Sequence, residues 1–401
     1  MEEWKSYRLG DIVRIGSGLA YKADYLGSGD ALLLGMGCVS FTEKFLKKGA
    51  RPYSGDSEER YIVSPGDIVL ATRQQSDNLP ILGMPAIIPN DYIGRRLIAG
   101  SNLYIVHNQS EIDNRFLFWL LKTPEYINHI SSCKTGTTVR MITKKDVESF
   151  VFKCPPKDER ERIANFLWAI EEMIDLNNRI NHNLEEQAQA LYKSWFVDFE
   201  PFKGGKFVES ELGMIPEGWH VGALSEVAKI TMGQSPSGAS FNEDGNGIFF
   251  YQGRTEFGFR YPSIKLFTTE PTRFSEPKSV LMSVRAPVGD INVIRNRCCI
   301  GRGLASIKPY TDSYSFLLYT MKSKAEDLDL YNGEGTVFGS INRKELEGLS
   351  VLIPSPGVVS AFNSLVTPFD SIIEVLSDEI NNLQKQRDDL LPQLMTGKLT
   401  C

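Results

Sequence analysis

The chain has 401 residues, of which 42% are hydrophobic and 23% are charged, and its formal net charge is −6. This length favours two or three domains, and the composition is that of an ordinary globular protein, which excludes a fibrous or fully disordered chain. The sequence shows no basic and apolar leader and no apolar run of bilayer length. We therefore expect a cytoplasmic protein without a membrane role.

The chain contains a duplication that begins near its first residues. The similar segments are residues 4–18 and 219–233, residues 65–73 and 277–285, and the stretches that follow Gly136-Thr137 and Gly335-Thr336. A repeat of about 200 residues is too long for a solenoid unit. We therefore expect two copies of one domain, with two similar working surfaces.

The first part of each repeat predicts a domain of the α+β class. Short β-like runs at residues 68–70 and 279–282 lie among many glycines, prolines and aromatic residues. Apolar helical runs at residues 116–121 and 316–319 interrupt them. The predicted segments are domain 1 at residues 1–158, a helix at 159–199, a linker at 200–218, domain 2 at 219–356 and a second helix at 357–401.

A long amphipathic helix closes each repeat. In both helices apolar or seam-compatible residues recur every seven positions, as in a coiled coil. The rows in the first helix are Ile163, Ile170, Asn177, Leu184 and Leu191, and Phe166, Met173, Ile180, Ala188 and Trp195; those in the second are Phe362, Phe369, Leu376, Leu383 and Leu390, with Ile373, Ile380 and Leu394. Because the linker is short, we expect an intramolecular antiparallel coiled coil and a pseudo-two-fold relation between the domains.

Two prolines predict boundaries in the second helix. Thr367-Pro368 matches an N-cap followed by proline at the first helical position, so we expect the main helix to begin there, after a short preceding helix. Pro392 is expected to kink or end it.

The negative charge is unevenly distributed. Acidic residues outnumber basic ones in the two long-helix segments, whereas the two domains are close to neutral. A local basic surface is therefore possible on each domain. The distribution permits DNA binding without arguing for it.

The sequence predicts no catalysis by this chain. It has no Asn/Asp-Pro-Pro-aromatic adenine-methylation motif, no glycine-rich cofactor loop and no phosphate-binding loop. Its four histidines show no metal-ligand spacing, and its six cysteines include no Cys-x-x-Cys pair. We expect no catalytic residue, no metal and no bound cofactor, and we expect free thiols.

Candidate DNA-contacting residues of the first repeat lie in polar loops. Arginine and glutamine can read base edges, while lysine and hydroxyl side chains near a glycine turn suit phosphate. The candidates are Tyr21, Lys22, Arg73, Gln74, Gln75, Asn78, Lys134, Thr137, Thr138 and Arg140. The alternative for residues 73–78 is a solvated turn.

The second repeat offers candidates at matching positions. They are Gln234, Ser235, Ser237, Gln252, Arg254, Arg285, Arg302, Thr336 and Phe338. Arg285 matches Arg73, and Thr336 matches the glycine loop of the first repeat. Arg302 has a second interpretation, as a structural arginine paired with an acid.

Large aromatic residues mark the end of the first long helix. They are Tyr192, Trp195, Phe196 and Phe199. Large aromatics serve both hydrophobic cores and binding hot spots. These four are therefore candidates either for the core at the end of the helix pair or for a docking face, and the two roles are compatible.

Taken together and in order, several short motifs resemble the specificity subunits of type I restriction-modification systems, the HsdS family. They are the Trp-x-x-x-x-Leu-Gly-Asp opening at Trp4, Gly-Thr-Thr-Val at Gly136, Pro155-Pro156, the 194–199 helix end, the 300–304 run and the closing 390–399 segment. The resemblance covers essentially the whole chain. The sequence departs from it at residues 98–102, which differ from 300–304, and in lacking a second Pro-Pro pair.

The resemblance implies two target recognition domains, each reading one half of a split, asymmetric sequence in double-stranded DNA. It implies that the helices bind methyltransferase subunits, which carry S-adenosylmethionine and modify adenine. A separate restriction and translocase subunit would join them. This chain would then be a non-catalytic specificity and scaffold subunit.

Two other hypotheses compete with this interpretation. One is a coiled-coil adaptor that joins proteins without reading DNA sequence. The other is a fragment of a fused restriction and methylation enzyme, against which the missing catalytic motifs argue.

Overall fold

The computed structural model describes residues 4–75, 80–333 and 339–400. The candidates Asn78, Thr336 and Phe338 lie outside the described residues. The chain forms two compact units. Unit 1 is residues 1–177 with 379–401, and unit 2 is residues 178–378.

Short strands and short helices make up the first repeat. The strands are β1 (Lys5–Arg8), β2 (Val13–Ser17), β3 (Leu26–Leu34), β4 (Ala50–Tyr53), β5 (Ile62–Val63), β6 (Ile68–Ala71), β7 (Arg73–Gln74), β8 (Pro85–Ile87), β9 (Leu97–Ala99), β10 (Leu103–Asn108), β11 (Arg140–Met141) and β12 (Val151–Cys154). The helices are α1 (Asn114–Leu120), α2 (Pro124–Cys133) and α3 (Lys144–Glu148).

The central strand β6 explains how this repeat is layered. Side chains alternate between the two faces of a strand. Ile68 and Leu70 join a cluster with the α1 residues Phe116 and Trp119. Val69, on the opposite face of β6, joins a cluster that residues of the central sheet form with residues of a second sheet. The antiparallel sheet β2-β10-β6-β8 therefore lies between a helical layer and the sheet β4-β3-β9-β5.

A long helix, a hairpin and the second repeat follow. The elements are α4 (Lys157–Phe196), β13 (Phe207–Ser210), β14 (Gly213–Pro216), β15 (His220–Ala223), α5 (Leu224–Val227), β16 (Ala228–Met232), β17 (Phe241–Asn242), β18 (Ile248–Tyr251), β19 (Leu266–Thr268), β20 (Phe274–Ser275), β21 (Val280–Ser283), β22 (Ile291–Val293), β23 (Cys298–Ile300), β24 (Leu304–Pro309), α6 (Tyr314–Ser323), α7 (Ala325–Asp329), α8 (Arg343–Glu347), β25 (Ser350–Ile353) and α9 (Pro356–Met395).

The second repeat has the topology of the first. Its sheet β16-β24-β21-β22 matches β2-β10-β6-β8, and the pair β15-β25 matches β1-β12. In the other sheet, β18 runs parallel to β23 just as β3 runs parallel to β9. The predicted duplication and the α+β class are confirmed.

The two long helices contribute to both units. In unit 1, Ile170 and Ile174 from the first half of α4 cluster with Ile380 and Leu383 from the second half of α9. In unit 2, Phe196 at the end of α4 packs against Phe362 near the start of α9, with ring centroids 5.1 Å apart. The start of each helix thus packs with the end of the other, and the predicted antiparallel pairing is confirmed.

The predicted start of the second helix at Thr367-Pro368 is wrong, because α9 begins at Pro356 and continues through Pro368. Proline inside a helix removes one backbone hydrogen bond. Phe362 and Val366, which precede Pro368 in the same helix, are fully buried, and their burial offsets that loss. The helix also continues past Pro392 to Met395, since Leu394 and Met395 are buried.

One predicted row of the first helix is wrong in its first half, where Phe166 and Met173 are 43% and 46% exposed. Leu167 and Ile174, one position later, are buried in their place, whereas Ala188 of the predicted row is fully buried. Residues one position apart point about 100° apart around a helix, so a one-residue error in register moves a row from the seam to the surface.

The helix α9 also corrects the expectation about apolar runs. By length and composition alone it could cross a membrane, since one 18-residue window has a mean hydropathy of 1.2. Only 22% of that window is buried in the structure. The helix nevertheless supplies Phe362, Val366, Leu391 and Leu394 to the two domain cores. Core helices pass the same test of length and composition, so this is weak evidence for a membrane span.

Candidate nucleic-acid interface

The first repeat brings its candidate loops to one edge of the central sheet. The ladder pairs Tyr104 with Ser17 and Leu103 with Ala71. Since these are antiparallel pairs, the end of β2, the end of β6 and the start of β10 lie at the same edge. The loops that carry Tyr21 and Arg73 leave the sheet there.

The segment that begins at Arg73 and the loop around Gly136 are joined by a short antiparallel pair of strands. Strand β7 pairs with β11, with Gln74 opposite Arg140 and Arg73 opposite Met141. Gly136 has a φ of +90°, a conformation that favours glycine, and its carbonyl accepts a hydrogen bond from Arg140 Nη1 at 2.7 Å. Two segments far apart in sequence therefore present one polar surface.

The side chains on this ladder are mostly exposed. Arg73, Gln75, Lys134, Thr137 and Thr138 are exposed, whereas Gln74 and Arg140 are half-buried. No ion pair joins Arg73 or Lys134 to any residue that the structure describes. Their positive charges remain available for phosphate or for guanine.

A close approach of two glycines fixes the neighbouring loop. A Cβ on Gly18 would lie 2.0 Å from the carbonyl oxygen of Gly100. The same pair exists in the second repeat, where a Cβ on Gly233 would lie 2.1 Å from the oxygen of Gly301. Only glycine fits, so these positions hold the loops with Tyr21 and with Gln234 against the sheet.

Tyr21 itself is 37% exposed, and its ring meets that of Tyr53 edge to face, with centroids 6.4 Å apart. Lys22 is also exposed. Tyr21 thus has a fixed ring at the same edge as Arg73, with one side open. Such an arrangement suits contact with a sugar or base.

In the second repeat, candidate loops likewise meet beside one another. Gln234 N donates to the Ile300 carbonyl at 2.9 Å, and Arg302 N donates to Ser235 Oγ at 3.3 Å. Gly301 N donates to the Tyr251 carbonyl at 2.8 Å, which places Gln252 beside the same turn. Four predicted residues therefore surround one glycine turn.

The arginines of the second repeat differ in their partners. Arg285 forms an isolated bridge with Ser340, as Arg73 pairs with the first glycine loop, and its side chain is exposed. Arg302 is exposed and pairs with no acid in the described part of the chain. Arg254, in contrast, forms an ion pair with Asp290. Ser237 is exposed in the loop that contains Gln234.

The aromatic cluster at the end of α4 belongs to the core of unit 2. Tyr192 and Phe196 are 6% and 4% exposed, and Tyr192 Oη donates to Thr320 Oγ1 at 3.1 Å. Trp195 and Phe199 are half-buried and pack on the same cluster. This geometry favours the core role, while a docking role stays a prediction for Trp195 and Phe199.

The sequence interpretation missed two buried charge clusters on the long helices. In unit 2, Arg260 is 1% exposed and forms ion pairs with Glu185 and with Asp370, the latter at 2.8 Å. In unit 1, Arg387 Nη1 lies 2.5 Å from Glu171 Oε1, and both side chains are buried. The available signal was charged residues on the apolar face of a heptad pattern, where burial requires a partner.

Burial and neighbouring charges shift several pKa values here. Burial alone would raise the pKa of Glu185, but the positive charges of Arg260 and Lys322 lower it by more, so the pKa is below its ordinary value. Burial lowers the pKa of Lys122 to about 8, although the nearby Glu171 acts in the opposite direction. Both repeats therefore hold ionised groups in their interiors.

The described residues contain no group of three or more His, Cys, Asp or Glu side chains that could hold a metal ion. The five cysteines in the described part of the chain are free thiols. Burial raises the pKa of Cys38 and of Cys298 to about 12, which disfavours the reactive thiolate.

Comparison with known proteins assigns the chain to a class. The family model described as the type I restriction modification DNA specificity domain matches residues 1–186 and 216–385. The chain therefore belongs to the type I restriction-modification specificity subunits, and it contains two copies of their domain. It is a non-catalytic DNA specificity subunit.

Individual relatives agree with this assignment. A protein named as the MjaX specificity subunit of a type I restriction enzyme, from Methanocaldococcus jannaschii, is 32% identical over 310 residues, 76% of this chain and 72% of the relative. The HindI specificity subunit of Haemophilus influenzae is 25% identical and covers 100% of both chains. The S subunit of a type I system from M. genitalium has the same fold, with a TM-score of 0.59, 15% identity and coverage of 98% and 96%.

Proposed function

We propose that each domain reads one half of a bipartite, asymmetric DNA target through the edge of its central sheet. The observation that carries the proposal is the repeated convergence of Arg73 and Tyr21 in one repeat, and of Arg285 and Gln234 in the other. In this proposal the target recognition domains are residues 1–158 and 219–356.

Different residues of these edges are suited to contact bases and to contact phosphates. Arg73, Gln75 and Arg285 are exposed and of residue types that read base edges, and Lys134 and Thr137 lie beside a glycine turn suited to phosphate. Arg254 is the weakest base-reading candidate, because binding a base would cost its ion pair with Asp290. The remaining candidates among the described residues belong to the same two surfaces, and the same tests apply to them.

The long helices supply the partner surface in this proposal. Each carries exposed apolar residues at the same spacing in its first half. They are Phe166, Met173 and Leu176 on α4, and Leu365, Ile372 and Val375 on α9. Exposed apolar stripes of this kind mark protein interfaces. We assign them to methyltransferase subunits that bring S-adenosylmethionine, with a restriction and translocase subunit completing a cytoplasmic complex.

The stripe assignment is tested by Met173→Ser and Ile372→Ser. Because both side chains are exposed, the free energy of unfolding should change by less than about 0.5 kcal/mol. Assembly with the methyltransferase subunit, measured by analytical ultracentrifugation, should weaken for each variant. Glu172→Ser, at an exposed position beside Met173, is the matched control. Unchanged assembly in both stripe variants would remove the stripes from the interface.

The function as a whole is tested by long-read mapping of adenine methylation. One host expresses this chain with its neighbouring methyltransferase, and a second host expresses the methyltransferase alone. We expect a split motif with a fixed spacer that disappears without this chain. An active methyltransferase with no chain-dependent motif would favour the adaptor hypothesis.

A further inference from the structure

The helices α4 and α9 can be compared position by position. When Lys157 is aligned with Pro356, the exposed and buried positions of the two helices coincide along nearly their whole length. Glu171 then corresponds to Asp370, Glu185 to Gln384, and Ala188 to Arg387. We call Glu171, Gln384 and Arg387 charged site 1, and Asp370, Glu185 and Ala188 charged site 2.

In unit 1 the helix supplies the guanidinium. Arg387 Nη1 donates to Glu171 at 2.5 Å and to the Thr42 carbonyl at 3.1 Å. Lys122 Nζ donates to the carbonyls of Phe41 and Glu43 at 3.0 and 3.1 Å. The domain thus contacts charged site 1 through the Thr42 carbonyl. Thr42 lies in residues 41–43, which we call docking loop 1 and which Lys122 of the same domain holds in place.

In unit 2 the domain supplies the guanidinium. Arg260 donates to Asp370, to Glu185 and to Tyr319 Oη, the last at 2.9 Å. Lys322, which corresponds to Lys122, pairs with Glu185. Arg260 lies in residues 257–261, which we call docking loop 2.

The two docking loops occupy one topological position. Docking loop 1 follows β3 and docking loop 2 follows β18, and these are equivalent strands of the second sheet in each repeat. The same interface therefore contains one buried guanidinium in each unit. That guanidinium comes from the helix in unit 1 and from the domain in unit 2.

We propose that Arg387 and Arg260 are positioning residues that match each recognition domain to its own helix-pair site, so that the domains are interchangeable only when the charged sites are exchanged with them. A copy of domain 2 in unit 1 would bring Arg260 beside Arg387 with Glu171 as the one buried carboxylate. A copy of domain 1 in unit 2 would leave Glu185 and Asp370 with no guanidinium.

The physical basis is the cost of an unmatched buried charge. Two guanidinium groups that share one carboxylate in a low-dielectric interior repel each other, and an acid that loses its partner stays desolvated. Matching the charge count at the interface removes both costs. The proposal concerns domain docking, and only its DNA readout rests on the proposed function.

The test is a chimera in which residues 219–355 replace residues 4–156, so that the full-length chain contains domain 2 twice. We expect the copy in unit 1 to be cleaved by a protease on the order of 100-fold faster than domain 2 in its native unit, because a mismatched buried charge is strongly destabilising. Adding Gln384→Glu and Arg387→Ala recreates charged site 2, and we expect resistance to return.

The control is the same double substitution in the native chain. There Gln384→Glu and Arg387→Ala should speed cleavage of domain 1, because Glu171 loses its guanidinium and gains a second acid. The proposal thus requires that the double substitution slow the cleavage of unit 1 in the chimera and speed it in the native chain. A chimera that stays unfolded after the substitutions, or one that is equally resistant without them, contradicts it.

A second readout separates docking from DNA reading. The rescued chimera should bind a duplex that carries two copies of the half-site of domain 2. Restored protease resistance without such binding would leave the docking proposal standing and would count against the proposed function.

Discussion

The two repeats agree in the order of their central sheets, yet their buried charges do not. In both, a central strand buries its two faces, although the other sheet of unit 2 has an additional strand, β17. The buried arginine comes from α9 in unit 1 and from a domain loop in unit 2. Topology therefore follows the apolar pattern, whereas a buried charge requires only a partner, from whichever segment is close.

The largest expected effect is the removal of the buried arginine in unit 2. Arg260→Met would strip the guanidinium from two buried carboxylates, and breaking buried ion pairs of this kind costs about 3–5 kcal/mol. Arg387→Met should cost less, because one buried carboxylate, Glu171, loses its partner and Lys122 remains near it, while the other partner of Arg387, Asp388, is 62% exposed. Hydrogen exchange resolved for peptides of each unit measures both losses. Equal losses would show that the two clusters are energetically alike.

The charge-free variant Glu185→Gln, Arg260→Met, Lys322→Met, Asp370→Asn extends this comparison, since Lys322 also pairs with Glu185. Replacing a complete buried ion cluster is often neutral. Exchange protection in unit 2 should therefore return most of the way to that of the native chain. Protection as low as in Arg260→Met would mean that the side-chain shape, rather than the charge balance, stabilises the interface.

The next effect is a pH dependence of unit 1 that comes from Lys122. Its pKa of about 8 in the folded chain lies below the ordinary value near 10.4, so between these values the unfolded chain binds more protons. Stability should therefore rise with pH across this window, by roughly 1–3 kcal/mol. The charged groups that act on Lys122 are Glu171, Arg387, Asp388 and Glu43.

Chemical denaturation of the native chain and of Lys122→Met between pH 7 and pH 10 measures this contribution. The variant should lose the upward slope in unit 1. A slope that persists unchanged in the variant would assign the pH dependence to another group. Lys324→Met, which removes an ion pair at the surface of unit 2, is the matched control.

The smallest effects belong to the ion pairs at the rims of the two docking loops. Lys44 pairs with Asp175 at 2.7 Å in unit 1, and Arg295 pairs with Asp378 in unit 2. Both acids are more than half exposed, and such pairs contribute at most about 1 kcal/mol. Lys44→Met should therefore destabilise unit 1 far less than Arg387→Met. If thermal or urea denaturation shows that Lys44→Met and Arg387→Met lose comparable stability, the ion pair at the rim contributes as much to docking as the buried cluster does.

The sequence predicted the duplication, the long helices and their pairing because these follow from apolar periodicity, which is local and repeated. It misplaced Phe166 and Met173, since a helical row shifts by about 100° with each residue. It also placed a helix start at Pro368, because proline rules describe a helix in isolation, whereas Phe362 and Val366 are held by the unit 2 core.

The sequence predicted which residues belong to the candidate surface, but it could not predict which of them contact each other. Polar residues beside glycine turns identified Arg73 and Arg140, yet their pairing across a ladder depends on long-range register. The ion pair of Arg254 with Asp290 was also invisible, because the partners are far apart in the chain. Asn78, Thr336 and Phe338 stay predictions outside the described residues.

The most direct measurement for the central claim, that one domain reads one half-site, is methylation mapping with Arg73→Ala and Arg285→Ala. Each base contact is worth about 1–3 kcal/mol of discrimination, so each variant should relax one or more positions in one half of the motif. Arg95→Ala, at an exposed arginine in a loop away from the sheet edge, is the control and should leave the motif unchanged. We expect the two variants to alter opposite halves. Changes in the same half, or no change in either, would contradict the account.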